Sequence, residues 1–429
     1  MKELILNVLK SEIEKSTGCT DPGSVTLAAS RAVRELGAVP EKVTVTVSPN
    51  LFKNGVSVGV PGTGKRGLDI AAALGCFIDK SEEGLAVLDY VTPDILKKAE
   101  AFLEEGGIQV TYAEFPDPLF IHAVAKGGGH EAIVDIAADY SNIIHIEKDG
   151  KTSVDKDFAK PDESKDHFLK YGLKELYDCI LTMELDELKF LLDFAEVNLA
   201  AARTGLGDKT LRLGKSLTAL DDNSSIESNR VSAKARAMAA AAGEARMQGL
   251  IVPIMAIAGS GNHGITNFIG VKVVADELGA DTLTTARALC ISSMITVYIK
   301  GYVKRMTAFC GCSIAAATGV AAASVYLLGG SFEQGVVAMQ SLIGTLGGMF
   351  CDGAKESCAL KLSTAAMMAV QFAYMAVDGV GLPAGVGVIG NTIEDTFYNL
   401  GQLNNPGMVE TDRVIVKLIE RSRSQRRGQ

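Results

Sequence analysis

The spacing of apolar positions changes twice along this chain. Leu4, Ile5, Val8 and Leu9 recur at helical spacing and predict an opening helix. The segment Thr17-Gly18-Cys19-Thr20-Asp21-Pro22-Gly23 interrupts it, and a second helix is expected over 24–36, where Ala28, Ala29 and Ala32 suit close packing. From 41 to 150 the period falls to two. Val43, Val45 and Val47 alternate with Thr44, Thr46 and Ser48, which predicts a strand. Further strands are predicted at 56–60, 85–91, 108–113, 120–126, 131–137 and 143–148, with helices at 68–74 and 93–105.

The stretch 151–165 is polar and charged and reads as a linker. Beyond it the pattern is helical: 166–181, 184–203, 224–248, 270–278 and 282–304, then Ala- and Gly-rich segments to about 376. A glycine-rich turn covers 378–391, and helices at 392–400 and 410–422 close the chain. No fixed-period repeat is present. The expected fold is α+β, with a smaller β-rich α+β domain (41–150) inserted into a large all-helical core domain. Residues 1–40 would pack on that helical domain, 151–165 would link, and 166–429 would form the rest of it.

Composition narrows the function classes. The 429 residues carry a formal net charge of −9, and no long basic run precedes the tail Arg421-Ser422-Arg423-Ser424-Gln425-Arg426-Arg427. That balance argues against a nucleic-acid partner, and the tail is expected to be a frayed, solvated end. The start, Met1-Lys2-Glu3-Leu4, has an early acid and no apolar run ahead of a cleavage site. No signal peptide is expected, and a cytoplasmic location follows. The uncharged run 306–332 exceeds the ~20 residues of a bilayer span. It also holds Cys310, Cys312, Ser313, Thr318, Ser324, Ser331 and four glycines, and the chain has no Trp for an interfacial belt. A buried helix rather than a membrane span is expected there. The apolar content is compatible with a homodimer.

Eight cysteines are too few for a disulfide scaffold. Four of them cluster in Phe309-Cys310-Gly311-Cys312 and Cys351-Asp352-Gly353-Ala354-Lys355-Glu356-Ser357-Cys358. One thiolate from the first motif and two from the second would hold an iron–sulfur cluster with one iron left open. Cys351 and Cys358, seven apart, would share a helix face, although Gly353 also permits a loop. Zinc is the rival metal, but no His stands near these motifs and the spacing is not that of a zinc site. Buried inert thiols are the ordinary alternative, and that reading is preferred for Cys76, Cys179 and Cys290.

Three other motifs carry chemistry. Cys19 stands at a helix break just before a helix start, where the dipole can lower a thiol pKa. Gly259-Ser260-Gly261-Asn262-His263-Gly264 follows an apolar run, and its polar groups suit a small substrate. Gly59-Val60-Pro61-Gly62-Thr63-Gly64-Lys65-Arg66 matches a phosphate loop except that Arg66 stands where Ser or Thr should hold Mg2+. A carboxylate held by backbone amides near Lys65 is the softer alternative.

Cys351-Asp352-Gly353-Ala354-Lys355 with Cys358-Ala359-Leu360-Lys361, Gly18-Cys19-Thr20-Asp21-Pro22 and Ser260-Gly261-Asn262-His263-Gly264 together resemble the L-cysteine desulfidase family, over nearly the whole chain. That family is related to the α-domain of iron–sulfur L-serine dehydratases. The resemblance implies an oxygen-sensitive 4Fe–4S cluster and no pyridoxal phosphate. Its ligands would be Cys351, Cys358 and one of Cys310 and Cys312. The dehydratase Gly-Cys favours Cys312, whereas the desulfidase spacing favours Cys310. Cys19 takes the position of the proposed catalytic base. Members usually have Glu where Asp21 stands, a departure expected to leave the cysteine unaffected. The expected reaction is β-elimination from L-cysteine, or second from L-serine, with Ser260, Asn262 and His263, assisted by Lys65, orienting the carboxylate. A non-catalytic cysteine-sensing protein with the same cluster is the alternative from another class.

Overall fold

The computed structural model describes residues 1–157, 168–221 and 225–427. Helix α1 (Lys2–Glu12) runs directly into strand β1 (Ile13–Thr17), so the predicted helix break is a strand and a turn. Helix α2 (Thr20–Leu36) ends at Gly37, whose φ of 66° places it in the left-handed cap that glycine adopts without a Cβ penalty. Strand β2 (Lys42–Val47), helices α3 (Pro49–Gly55), α4 (Leu68–Gly75) and α5 (Pro93–Glu104) and strand β3 (Ile108–Tyr112) follow. Strands β4 (Phe120–Gly127), β5 (His130–Ala137), β6 (Ile143–Lys148) and β7 (Lys151–Asp155) complete a six-stranded sheet of order β3-β2-β4-β5-β6-β7. Only β2 and β3 pair in parallel. The period-two pattern does what it predicts: Val43, Val45 and Val47 are buried on one face beside Ile121, Ala123, Ala132 and Val134.

The remainder is helical: α6 (Leu173–Leu181), α7 (Leu185–Gly207), α8 (Leu213–Asp221) and α9 (Glu227–Met247), then strand β8 (Pro253–Ile257), which pairs antiparallel with β1. Helix α10 (Gly261–Gly264) passes through a π turn (Ile265–Ile269) into α11 (Gly270–Leu278). The chain continues with α12 (Thr282–Val303), a π turn (Cys312–Ala316), α13 (Ala317–Leu327), α14 (Phe332–Leu346), α15 (Ser357–Val377), α16 (Ile393–Gln402) and α17 (Val409–Arg427). Small residues let these helices approach closely. A Cβ on Gly243 of α9 would come within 2.8 Å of Leu362 on α15.

Several expectations are corrected. Residues 56–60 follow a helix rather than forming a strand, and Gly59 makes only an isolated bridge to Arg66. Residues 85–91 fall largely within a 3-10 segment (Ser81–Tyr90) that buries Leu85, Val87 and Leu88. A short apolar run fits a strand and a buried turn equally, because both hide the same side chains. Helix α2 packs with the sheet rather than on the helical core that holds α1. The first five residues of the expected 151–165 linker form β7, and 158–165 lies outside the described residues. The uncharged run 306–332 is divided by a bridge, a π turn and a short helix. Among the described residues, helices α12 and α15 are the two long and apolar enough to cross a membrane, with 78% and 50% of their apolar windows buried. The tail is helical, and Arg423 docks on Asp69 at 3.1 Å.

Candidate active site

A bridge between Phe309 and Phe350 assembles the thiols. The Cys310 amide donates to the Met349 carbonyl at 2.7 Å, and the Cys351 amide to the Ala308 carbonyl at 2.7 Å. These bonds set the two cysteine segments side by side although 40 residues of helix and loop intervene in sequence. Cys312 opens its π turn, and Cys358 is the second residue of α15. Cys351 and Cys358 therefore do not share a helix. Gly353 turns the chain with φ 93°, and a Cβ there would meet the Lys53 carbonyl oxygen at 2.1 Å. Asp352 pairs with Lys355 within the loop and ties the loop to α15 through Lys361 at 2.5 Å.

The opposite wall begins at Gly18, where a Cβ would lie 2.2 Å from Pro61 Cγ. Cys19 follows as the N-cap of α2, and its thiol donates to Asp21 Oδ2 at 3.3 Å. The Tyr140 hydroxyl donates to Asp21 Oδ1 at 3.4 Å, and Asn54 also bonds this carboxylate. Arg246, 2% exposed, donates from Nε to the Gly18 carbonyl at 2.8 Å and from Nη1 to Asn262 Oδ1 at 2.9 Å. Among the described residues no carboxylate stands within ion-pairing distance of Arg246. Ser260 Oγ accepts from the His263 amide at 3.4 Å. His263 Nδ1 donates to the Ile257 carbonyl at 3.1 Å, which turns Nε2 toward Gly311, where a Cβ would sit only 2.1 Å away. Lys300 donates to the Arg305 carbonyl at 2.9 Å, and Arg305 is anchored by Glu12 and Asp139. These groups and all four clustered cysteines line one cavity of about 100 Å³.

Burial governs the protonation of this cavity. It pushes the Cys19 thiol up to about 12, with the Asp21 charge adding to it. It raises Asp21 to about 6, opposed by the bonds from Cys19 and Asn54. Burial takes His263 down to about 3 and Lys300 down to about 7, so His263 is neutral. A hydrogen bond from Cys312 lowers Cys310 to about 7 and holds Cys312 well above the usual thiol range.

The thiols fit a cluster better than a single ion. Among the described residues no three His, Cys, Asp or Glu converge on one metal position. Zinc needs such convergence, whereas cluster thiolates each bind a different iron and stand apart around it. Cys351, Cys358 and the adjoining pair Cys310 and Cys312 line one space, which offers three separate positions for thiolate ligands, with Lys300 and Lys361 near enough to feel their charge.

Of the residues singled out in the sequence, Cys19, Ser260, Asn262, His263, Cys310, Cys312, Cys351 and Cys358 all line this cavity. Lys65 does not. It is half-exposed and pairs with Glu100 at 2.8 Å. The loop around it is closed on itself: the Val60 amide bonds the Lys65 carbonyl, the Thr63 amide the Val60 carbonyl, and the Lys65 amide Thr63 Oγ1. Those amides have no capacity left for a phosphate, so the nucleotide reading is withdrawn. Asp21 is in direct contact with the cysteine, since it accepts the Cys19 thiol bond. Arg246, Asn54, Tyr140, Lys300 and Arg305 were not singled out. Arg246 is one of three arginines in the alanine-rich α9, and nothing in the pattern sets it apart from Arg230 and Arg236.

The family model of the serine dehydratase alpha chain matches residues 82–417. The chain is 49% identical over 419 residues to a UPF0597 protein of Methanocella arvoryzae, covering 97% of this chain and 98% of the relative. It is 36% identical over 420 residues to a UPF0597 protein of Bacteroides fragilis, again 97% of this chain and 98% of the relative. A UPF0597 protein of Clostridioides difficile is 36% identical over 426 residues, covering 96% and 98%.

Proposed function

This chain belongs to the serine dehydratase alpha chain family, and on that premise we propose that it is a 4Fe–4S-dependent lyase that eliminates hydrosulfide from L-cysteine, giving pyruvate, ammonia and sulfide. The observation that carries this reading is the meeting, in one buried cavity, of four thiols, the Cys19–Asp21 pair and an Arg246 guanidinium that has no carboxylate partner among the described residues. Cys351, Cys358 and one of Cys310 and Cys312 would hold the cluster. When bound, it supplies a Lewis acid for the substrate.

The chain's own residues do the rest. Arg246 binds the substrate carboxylate, and Asn262 and the Gly18 carbonyl hold its plane in place. Ser260 fixes the turn that presents Asn262 and His263. Neutral His263 offers Nε2 as an acceptor for the substrate ammonium. Cys19 removes the Cα proton as hydrosulfide leaves Cβ. The aminoacrylate product becomes an imine and hydrolyses in water. Tyr140 and Asn54, from the sheet side, close the cavity against bulk water. L-Serine is the second reading, favoured by the family description, because it shares the carboxylate and amine and differs only in its leaving group. The proposal includes a cytoplasmic homodimer acting on a small amino acid, without nucleic acid or membrane.

The test is iron and acid-labile sulfide per chain after purification without oxygen, followed by pyruvate release from L-cysteine and from L-serine. About four of each per chain supports the cluster. Faster turnover of cysteine supports desulfidation, and faster turnover of serine supports dehydration. Iron and ligand binding without pyruvate would leave a sensing protein, and no iron after reconstitution would return the thiols to the core.

A further inference from the structure

We propose that Asp21 is the positioning residue that takes up and returns the Cys19 proton, so that a thiol–carboxylate pair rather than a lone thiol performs the Cα deprotonation. This rests on the elimination reading above. Asp21 is 3% exposed and sits in the first turn of α2, yet it forms no cap bond. Among the described residues it also makes no ion pair, although Arg246 faces it from across the cavity. Its two oxygens are committed separately, Oδ2 to the Cys19 thiol and Oδ1 to the Tyr140 hydroxyl, with the Asn54 amide as a third donor. A buried carboxylate with only neutral donors costs stability, and such a group in a cavity marks chemistry more often than packing.

The geometry supplies what Cys19 lacks. Buried at 3% exposure, its sulfur carries a proton and cannot serve as a base until that proton goes elsewhere. Among the described residues, the one acceptor it bonds is Asp21 Oδ2. The Sγ proton passes to Oδ2, and the sulfur lone pair takes the Cα proton. The Cα–H electron pair becomes the Cα=Cβ double bond, and the Cβ–S or Cβ–O pair leaves with the leaving group. Cys19 then gives the former Cα proton to that group, releasing hydrogen sulfide or water, and recovers its own proton from Asp21. The pair ends as it began, and nothing is oxidised or reduced. The bonds from Cys19 and Asn54 counter the burial that raises the Asp21 carboxyl.

Three variants of the full, iron-loaded chain test this. Asp21→Asn should lower kcat by about a hundredfold, the lower range for a lost acid–base group, with KM little changed. Asp21→Glu should recover most of that loss, because it keeps the acceptor. The infrared S–H band missing from Cys19→Ala identifies Cys19, and it should move to higher frequency in Asp21→Asn as the acceptor weakens. Asp21→Asn with full iron and full kcat, or an unmoved Cys19 band, would overturn the assignment. If the loaded wild-type protein makes no pyruvate from either amino acid, the elimination reading fails. The band then decides alone: a shift supports the thiol–carboxylate pair, and no shift removes it.

Discussion

Arg246 shows how much one side chain can carry at the scale of the residue. Its guanidinium is bonded on two edges and keeps further N–H groups for an anion. Arg246→Lys preserves the charge but loses the planar fork. KM for the amino acid should rise about tenfold or more, since a charged hydrogen bond is worth ~1.5–3 kcal/mol, while kcat changes less. An unchanged KM would remove Arg246 from carboxylate recognition. Glu14 gives a second test. Burial, then Asp139, raises its carboxyl to about 7 against an ordinary 4.5. Its contribution to stability is present below pH 4.5 and is lost as pH rises through 7. Glu14→Gln should therefore melt higher than wild type at pH 8 and alike at pH 4, and a lower melting temperature at pH 8 would show that the charge is needed. The cysteines and the Ser260–His263 turn were legible in the sequence because unusual residue types were dense there. Arg246 was not, because α9 has alanine on nearly every face and no periodicity marks one of them as a site.

Among the elements, glycines decide whether the thiol segments can close. Gly353 lies at φ 93° with the Lys53 carbonyl where a Cβ would stand, and Gly311 has His263 Nε2 there. Gly353→Ala should lose on the order of 2 kcal/mol or more through backbone strain, and should bind less iron because Cys351 and Cys358 are carried out of place. Denaturant midpoints and iron per chain read the two effects separately. A variant with full iron would separate the turn from the thiols. The strands 108–113, 120–126, 131–137 and 143–148 and most helices were legible, since alternation and helical period each specify a buried face. What escaped the sequence were elements decided by distant partners. Strand β1 exists because β8 offers it a ladder, from Ile13 opposite Ile257 to Thr17 opposite Pro253. The isolated pairing of Phe309 with Phe350 likewise has no local signature, yet it sets Cys310 beside Cys351.

For the whole molecule, the cavity lies where several hydrophobic clusters meet: Tyr140 and Met306 belong to that of the sheet, Phe309 to the largest helical one, and Cys310 and Cys312 to a second helical one. Asn54 and Tyr140 come from the sheet side, and the four clustered thiols, Arg246 and His263 from the helical side. Helix α17 returns from the helical part to bind these halves: Glu420 accepts from the Tyr112 hydroxyl at 2.8 Å, and Arg423 reaches Asp69 and lies over the Phe52 ring. Its strongest tie is Asp412 to the buried ammonium of Lys53, at 2.5 Å, with the Lys53 side chain 1% exposed. Lys53 also presents its carbonyl to Gly353, and its neighbour Asn54 faces the cavity. The tie therefore braces the thiol loop from behind. Asp412→Ala strands a buried charge and should cost ~3–5 kcal/mol, whereas the double variant Lys53→Met, Asp412→Leu should come close to wild-type stability. Stability and iron content need not follow each other across the pair. If α17 acts only as a clamp, the double variant regains iron as it regains stability. If the ionic bond itself sets the height of the Lys53 carbonyl under Gly353, the double variant melts like wild type but loads less iron. Melting temperature and iron per chain, measured on both variants, distinguish the two, and an Asp412→Ala protein unchanged in both would show that the cavity is held without α17.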